Sequence, residues 1–191
     1  KNPLNYFSPE QKRHYDLPEL DTDALESYLS GDLGWTNLNN AATSLELLGS
    51  RLELFGVNDA HRHWDRLDQL PGAIEDEREN VEWDDTGADV LTIGVTHSPY
   101  RRVLDAFVTY GARLILAGHT HGGQVRIPGL PALVTNCDIP REQAQGLSEW
   151  NHAGHEAFLN VSAGIGTSIY APVRFACPPE AILVTLVASD F

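Results

Sequence analysis

From Leu45 to Val57 apolar and polar residues alternate with a period of two, interrupted once at Gly49-Ser50. Side chains of a strand point to opposite faces in turn, and a two-residue turn containing glycine reverses the chain, so Leu45–Leu48 and Arg51–Val57 predict a β-hairpin. Between residues 89 and 121 the period changes twice. Val90-Leu-Thr-Ile-Gly-Val95 reads as a strand; Val103, Leu104, Phe107 and Val108 then recur at helical spacing, with Gly111 as the stop; Arg113-Leu-Ile-Leu-Ala117 reads as a second strand. This is a βαβ unit over 89–121. Its two strands are predicted parallel, because a helical crossover returns the chain to the same end of the sheet.

The remaining chain is less regular. Thr22–Ser30 predicts a short amphipathic helix with Leu25, Tyr28 and Leu29 on one packing face and Gly31 as its stop. Residues 62–70 predict another, ended by Pro71-Gly72, and the acidic run from Glu75 to Asp85 predicts a solvated face or loop. Phe158-Leu-Asn-Val161 and Ala181-Ile-Leu-Val-Thr-Leu-Val187 predict further strands, joined through a stretch from Gly164 to Pro179 rich in glycine and proline. Strand and helix signals in alternation predict an α/β fold with a mixed sheet. At 191 residues and 42% hydrophobic content, the chain supports one core and is expected to form a single domain, 1–191.

Charge narrows the function classes. Against 27 acidic residues stand 13 basic ones, a net charge of −14, so the surface field opposes phosphate backbones and a nucleic-acid partner is not expected. Cys137 and Cys177 lie far apart and form neither a disulfide framework nor a CxxC site. The longest apolar stretches, such as Ala181–Val184, fall well short of the roughly 20 residues that span a bilayer, so the chain as given reads as soluble. Membrane attachment through some other segment of a longer protein stays open.

The chemistry gathers where the βαβ unit ends. Thr96-His-Ser-Pro99 and Gly118-His-Thr-His121 each follow a strand of that unit, which places them on one sheet edge, where ligand and catalytic groups of open α/β sheets collect. His97, His119 and His121 are therefore the candidate metal ligands, since neutral imidazole nitrogen is a good donor to Zn, Mn, Fe or Co. Glycines on both sides of the His-x-His pair permit a tight turn in which the rings diverge and serve two adjacent ions.

Thr96-His-Ser-Pro99, Ala117-Gly-His-Thr-His-Gly-Gly-Gln124 and Asn160-Val-Ser-Ala-Gly-Ile-Gly166, in that order, resemble the later signature blocks of the calcineurin-like metallophosphoesterases, particularly the bacterial branch that writes GHTHGGQ. The likeness runs from about Leu45 to the C terminus. It implies a four-layer αββα sandwich with a binuclear metal centre between its sheets, of which this chain is the C-terminal half. It also implies two divalent ions (Mn, Fe or Zn), His97 and His119 on one and His121 on the other, and a phosphomonoester or phosphodiester substrate.

The family's N-terminal blocks, D-x-H, GDxxD and GNHD, have no counterpart here. The lone Gly-Asp pair, Gly31-Asp32, lacks an aspartate three residues on, and no GNH occurs, so the general-acid histidine is absent and no catalytic residue is expected in this chain. Asp59-Ala60-His61 is the sole D-x-H; with no bridging-aspartate block between it and His97, Val57-Asn58-Asp59 resembles instead the family's strand after GNHD with an acidic residue behind it, leaving His61 and His63 a minor place in any site. His14, His152 and His155 read as ordinary polar residues. Lys1-Asn-Pro-Leu-Asn-Tyr-Phe7 looks like the sequence that follows GNHD in close relatives. A half-domain of this kind would bind metal weakly, hydrolyse little by itself, and bare a sheet face to the missing half or to self-association. Two other classes fit the same residues: a non-catalytic scaffold of the same fold, and a mononuclear three-histidine zinc hydrolase.

Overall fold

The computed structural model describes residues 20–81, 90–168 and 172–187. Six strands form one sheet in the order β1-β2-β3-β4-β6-β5: β1 Ala41–Leu47, β2 Ser50–Gly56, β3 Val90–Thr96, β4 Leu114–Ala117, β5 Gly146–His152 and β6 His155–Val161. β2, β3, β4 and β6 run parallel, while β1 and β5 close the two edges as antiparallel hairpin partners. The chain is thus mixed α/β. The predicted hairpin is present, with Leu47 opposite Ser50 and Leu48 (φ 54°) and Gly49 (φ 78°) in the turn.

Two helices, α2 Leu70–Asn80 and α3 Arg101–Thr109, cover the same face of the sheet. Alternation fixes which residues meet them. Glu53 of β2 is chelated by Arg78 of α2 at 2.6 and 2.8 Å, and Phe55, two residues on, meets Phe107 of α3 edge to face at 5.1 Å. Phe55, Ile74, Val103, Leu104, Phe107, Ile115, Leu159 and Val161 form one buried cluster on that side. Gly94 lies beneath the Phe107 ring, and any side chain there would overlap it.

The opposite parity is also apolar. Leu52 and Leu54 of β2, Leu91, Ile93 and Val95 of β3, and Leu114 and Leu116 of β4 share the other face. At its margins Leu45, Leu47, Leu147 and Phe158 are 39–65% exposed.

Several expectations need correction. Pro71-Gly72 opens α2 rather than ending a helix, because proline tolerates the first helical turn, where its missing N–H has no partner to lose. Residues 60–62 make only a single 3-10 turn. The solvated face expected of the acidic run agrees with Glu75 and Asp76, which are exposed on α2, while residues 82–85 of that run lie outside the described residues. Helix α1, Thr22–Ser27, is capped by Asp21 and followed by a π-helical turn, Tyr28–Asp32, yet it buries no residue: Leu25 and Tyr28 are about half exposed, so the packing face is not used as expected. Ala181–Val187 is not a strand. Its residues are exposed, and no ladder bonds them among the described residues. Lys1–Phe7 and His14 lie outside the described residues.

Candidate metal centre

Because β2, β3, β4 and β6 are parallel, the loops after them leave from one edge. Backbone bonds keep these loops side by side just past the strands: Val57 N–H to Val95 O (3.4 Å), Gly118 N–H to His97 O (3.1 Å) and Ser162 N–H to Ala117 O (2.9 Å). His97 follows β3 and is exposed; His119 and His121 follow β4 and are half-buried.

The structure brings His97 and His119 together. His97 Nε2 lies 3.4 Å from His119 Nδ1, with the rings nearly perpendicular and 5.2 Å apart. The other nitrogen of His119, Nε2, lies 3.1 Å from the Asn136 carbonyl, which can only accept, so Nε2 carries the proton. Burial, reinforced by the neighbouring His61 and His97, pushes His119 down to about 4 despite that hydrogen bond. At neutral pH the ring is therefore uncharged, and the nitrogen facing His97 is a bare lone pair. A ligating histidine is commonly oriented in this way, one nitrogen bound to a carbonyl and the other offered to the metal.

His121 is also held below the usual histidine range, first by burial, then by the Arg174 guanidinium and by His97. Its backbone is unusual. His119 (φ 66°), His121 (φ 50°) and Gln124 (φ 49°) are left-handed, as are Gly122 (φ 63°) and Gly123 (φ 79°). Each non-glycine residue in that region costs on the order of 1–2 kcal/mol, so the surroundings must enforce it. Thr120, fully buried, donates its hydroxyl to Ala144 O at 2.7 Å and accepts from Gly122 N–H at 3.1 Å. The buried Gln124 amide donates to Val173 O (2.9 Å) and accepts from Ser168 N–H (2.7 Å). Gly122 and Gly123 are needed for space as well: a Cβ would come within 2.8 Å of Cys177 Sγ at the first and 2.5 Å of Ala132 Cβ at the second.

One residue set aside in the sequence belongs to this edge. The His61 ring lies 4.8 Å from that of His119, and its Nδ1 meets the Tyr100 hydroxyl at 2.8 Å. Asp59 Oδ1 accepts from the His61 backbone N–H at 2.9 Å, fixing the turn that brings the ring in. His61, given only a minor place from the sequence, thus sits against His119 through the turn that Asp59 caps. His63 is directed instead to Arg102, at 3.4 Å, and His152 pairs with Asp105 at 3.3 Å. Both cysteines are free thiols; burial raises Cys137 above the usual thiol range.

The donors present fit part of a metal centre. Imidazole is a suitable donor type and the rings of His61, His97 and His119 lie together, but among the described residues no group of three His, Cys, Asp or Glu side chains could hold a metal ion.

The chain is similar to Phosphodiesterase YaeI of Escherichia coli (strain K12), with 29% identity over 154 residues, which is 81% of this chain and 48% of that protein. It thus spans about half the length of the curated relative it matches. No family model matches the chain, and no solved structure matches it significantly. Among the described residues no helix is long and apolar enough to cross a membrane.

Proposed function

We propose that this chain is part of a metal-dependent phosphoesterase hydrolysing a phosphomonoester or phosphodiester, and that it contributes His97, His119 and His121 as metal ligands. The observation that carries the reading is the approach of His97 Nε2 to the bare Nδ1 of His119 at 3.4 Å, on the carboxyl edge of a parallel sheet. The likeness to a phosphodiesterase supports the reaction class.

In this reading Asn136 O orients His119, the left-handed loop aims His121, and the exposed His97 faces the reaction space. Divalent ions held there, whether Mn, Fe or Zn, would neutralise phosphate charge and acidify water. The carboxylates and the proton donor to the leaving oxygen that this reaction needs would be supplied by further polypeptide. In this reading it would pack as a second sheet on the apolar face of Leu52, Leu54, Ile93 and Leu116 and so form the four-layer sandwich; that face is what supports the reading.

The test is hydrolysis of bis(p-nitrophenyl) phosphate with added Mn. The full gene product should turn over, single His97→Ala, His119→Ala and His121→Ala variants should lose about 100-fold or more, and the 191-residue chain alone should be nearly inactive. Robust turnover by the 191-residue chain, or full activity in the histidine variants, would overturn the proposal.

A further inference from the structure

The guanidinium of Arg174 is bonded to backbone carbonyls, with one weaker side-chain contact, Nη1 to Cys177 Sγ at 3.8 Å. Nη1 donates to His121 O (3.1 Å) and Cys177 O (3.5 Å). Nη2 reaches Ala163 O (2.7 Å), Gly164 O (2.9 Å) and Gly166 O (2.5 Å), and Nε reaches Gly166 O (3.1 Å). Among the described residues it meets no carboxylate. An arginine at an enzyme edge usually pairs with an acid or stays open to bind an anion. Here the planar fork gathers carbonyls from the loop after β4, the loop after β6 and the turn at Cys177.

Such an arrangement has a specific consequence for the histidine loop. The His121 carbonyl belongs to a residue at φ 50°, and it also receives the Cys177 thiol at 3.4 Å. A left-handed histidine relaxes toward φ below zero unless its peptide is held, and relaxation would rotate the imidazole away from its present direction. The side chains of Thr120 and Gln124 fix the loop on either side without reaching the His121 carbonyl, which receives the Gln124 backbone N–H at 3.0 Å from within the loop; Arg174 and Cys177 are the side chains that hold it from outside.

We infer that Arg174 is a positioning residue, a carbonyl lock that holds the backbone of His121 left-handed and so aims its ring. The shape of the fork, rather than its charge, carries the role, because lysine offers the same charge without bridging carbonyls from separate loops. The lock concerns this chain alone. Only the consequence for metal binding rests on the function proposed above.

Nuclear magnetic resonance on the 191-residue chain tests it without metal. In the wild type, Arg174 should give separate, slowly exchanging Nη signals; one averaged signal would overturn the inference without recourse to any variant. In Arg174→Lys and Arg174→Met, amide exchange at Gly122 and Gly123 should rise about tenfold or more and the His121 ring resonances should move, while those of His97 and His119 stay in place. Wild-type exchange and an unmoved His121 ring in folded Arg174→Lys would show that charge alone suffices and would sink the lock. In the full gene product, Arg174→Lys should weaken Co binding. Loss of the loop signature with unchanged Co binding leaves the lock standing and counts against His121 as a ligand, so the two proposals fail separately.

Discussion

At the residue scale the histidine loop combines a buried histidine held below the ordinary range with glycines whose replacement is strained. His119 titrates at about 4 in the folded chain, against 6.5 ordinarily. Between these values the unfolded chain takes up a proton that the folded chain refuses, so this contribution to stability is complete above 6.5 and is lost as pH falls toward 4. Following the His119 ring protons by NMR should give a midpoint near 4, and His119→Asn should flatten the loss of thermal stability across that window. A midpoint above about 6 would contradict the burial argument. Gly123→Ala sets a Cβ against Ala132 in a residue at φ 79° and should cost about 1–3 kcal/mol, read as a Tm lowered by several degrees; an unchanged Tm would show that the loop is looser than drawn. The candidate ligands were legible in the sequence because glycine punctuation and strand periodicity fix where a strand ends. His61 was not legible, since its place beside His119 depends on a turn capped by Asp59 after a different strand. Arg174 was still less so: recognition of carbonyls leaves no spacing between side chains to read.

At the element scale, the parts written in strong period were recovered. The hairpin of β1 and β2 and the unit β3-α3-β4 follow the alternation and the helical stripe closely, because each buries one face against a neighbour close in sequence. Strand β5 was missed, since only Trp150 in Gly146–His152 turns inward to the core, where its indole N–H bonds Asp105 at 2.9 Å. Ala181–Val187 erred the other way. Its composition suits a strand, but a strand exists only as a pair, and no edge among the described residues accepts it. The apolar sheet margin has a matching consequence. Leu147→Lys with Phe158→Lys should lower binding of the dye ANS to the 191-residue chain and reduce any self-association seen by light scattering. Unchanged ANS binding would mean that this face is not the exposed patch.

At the scale of the whole molecule, a net charge of −14 surrounds an edge where the rings of His61, His97 and His119 lie together, and among the described residues no group of three His, Cys, Asp or Glu side chains could hold a metal ion. Positive ions at that edge would reverse the local field and let a phosphate ester approach a chain that otherwise repels it. The sheet is apolar on both faces while the helices described cover only one, which is the pattern the proposed second sheet would satisfy. The most direct test is the metal content of the full gene product, measured by mass spectrometry beside His97→Ala, His119→Ala and His121→Ala variants of unchanged Tm. The account predicts roughly two divalent ions per wild-type chain and a clear deficit in each variant. An active wild type without bound metal, or variants that retain the full complement, would contradict it.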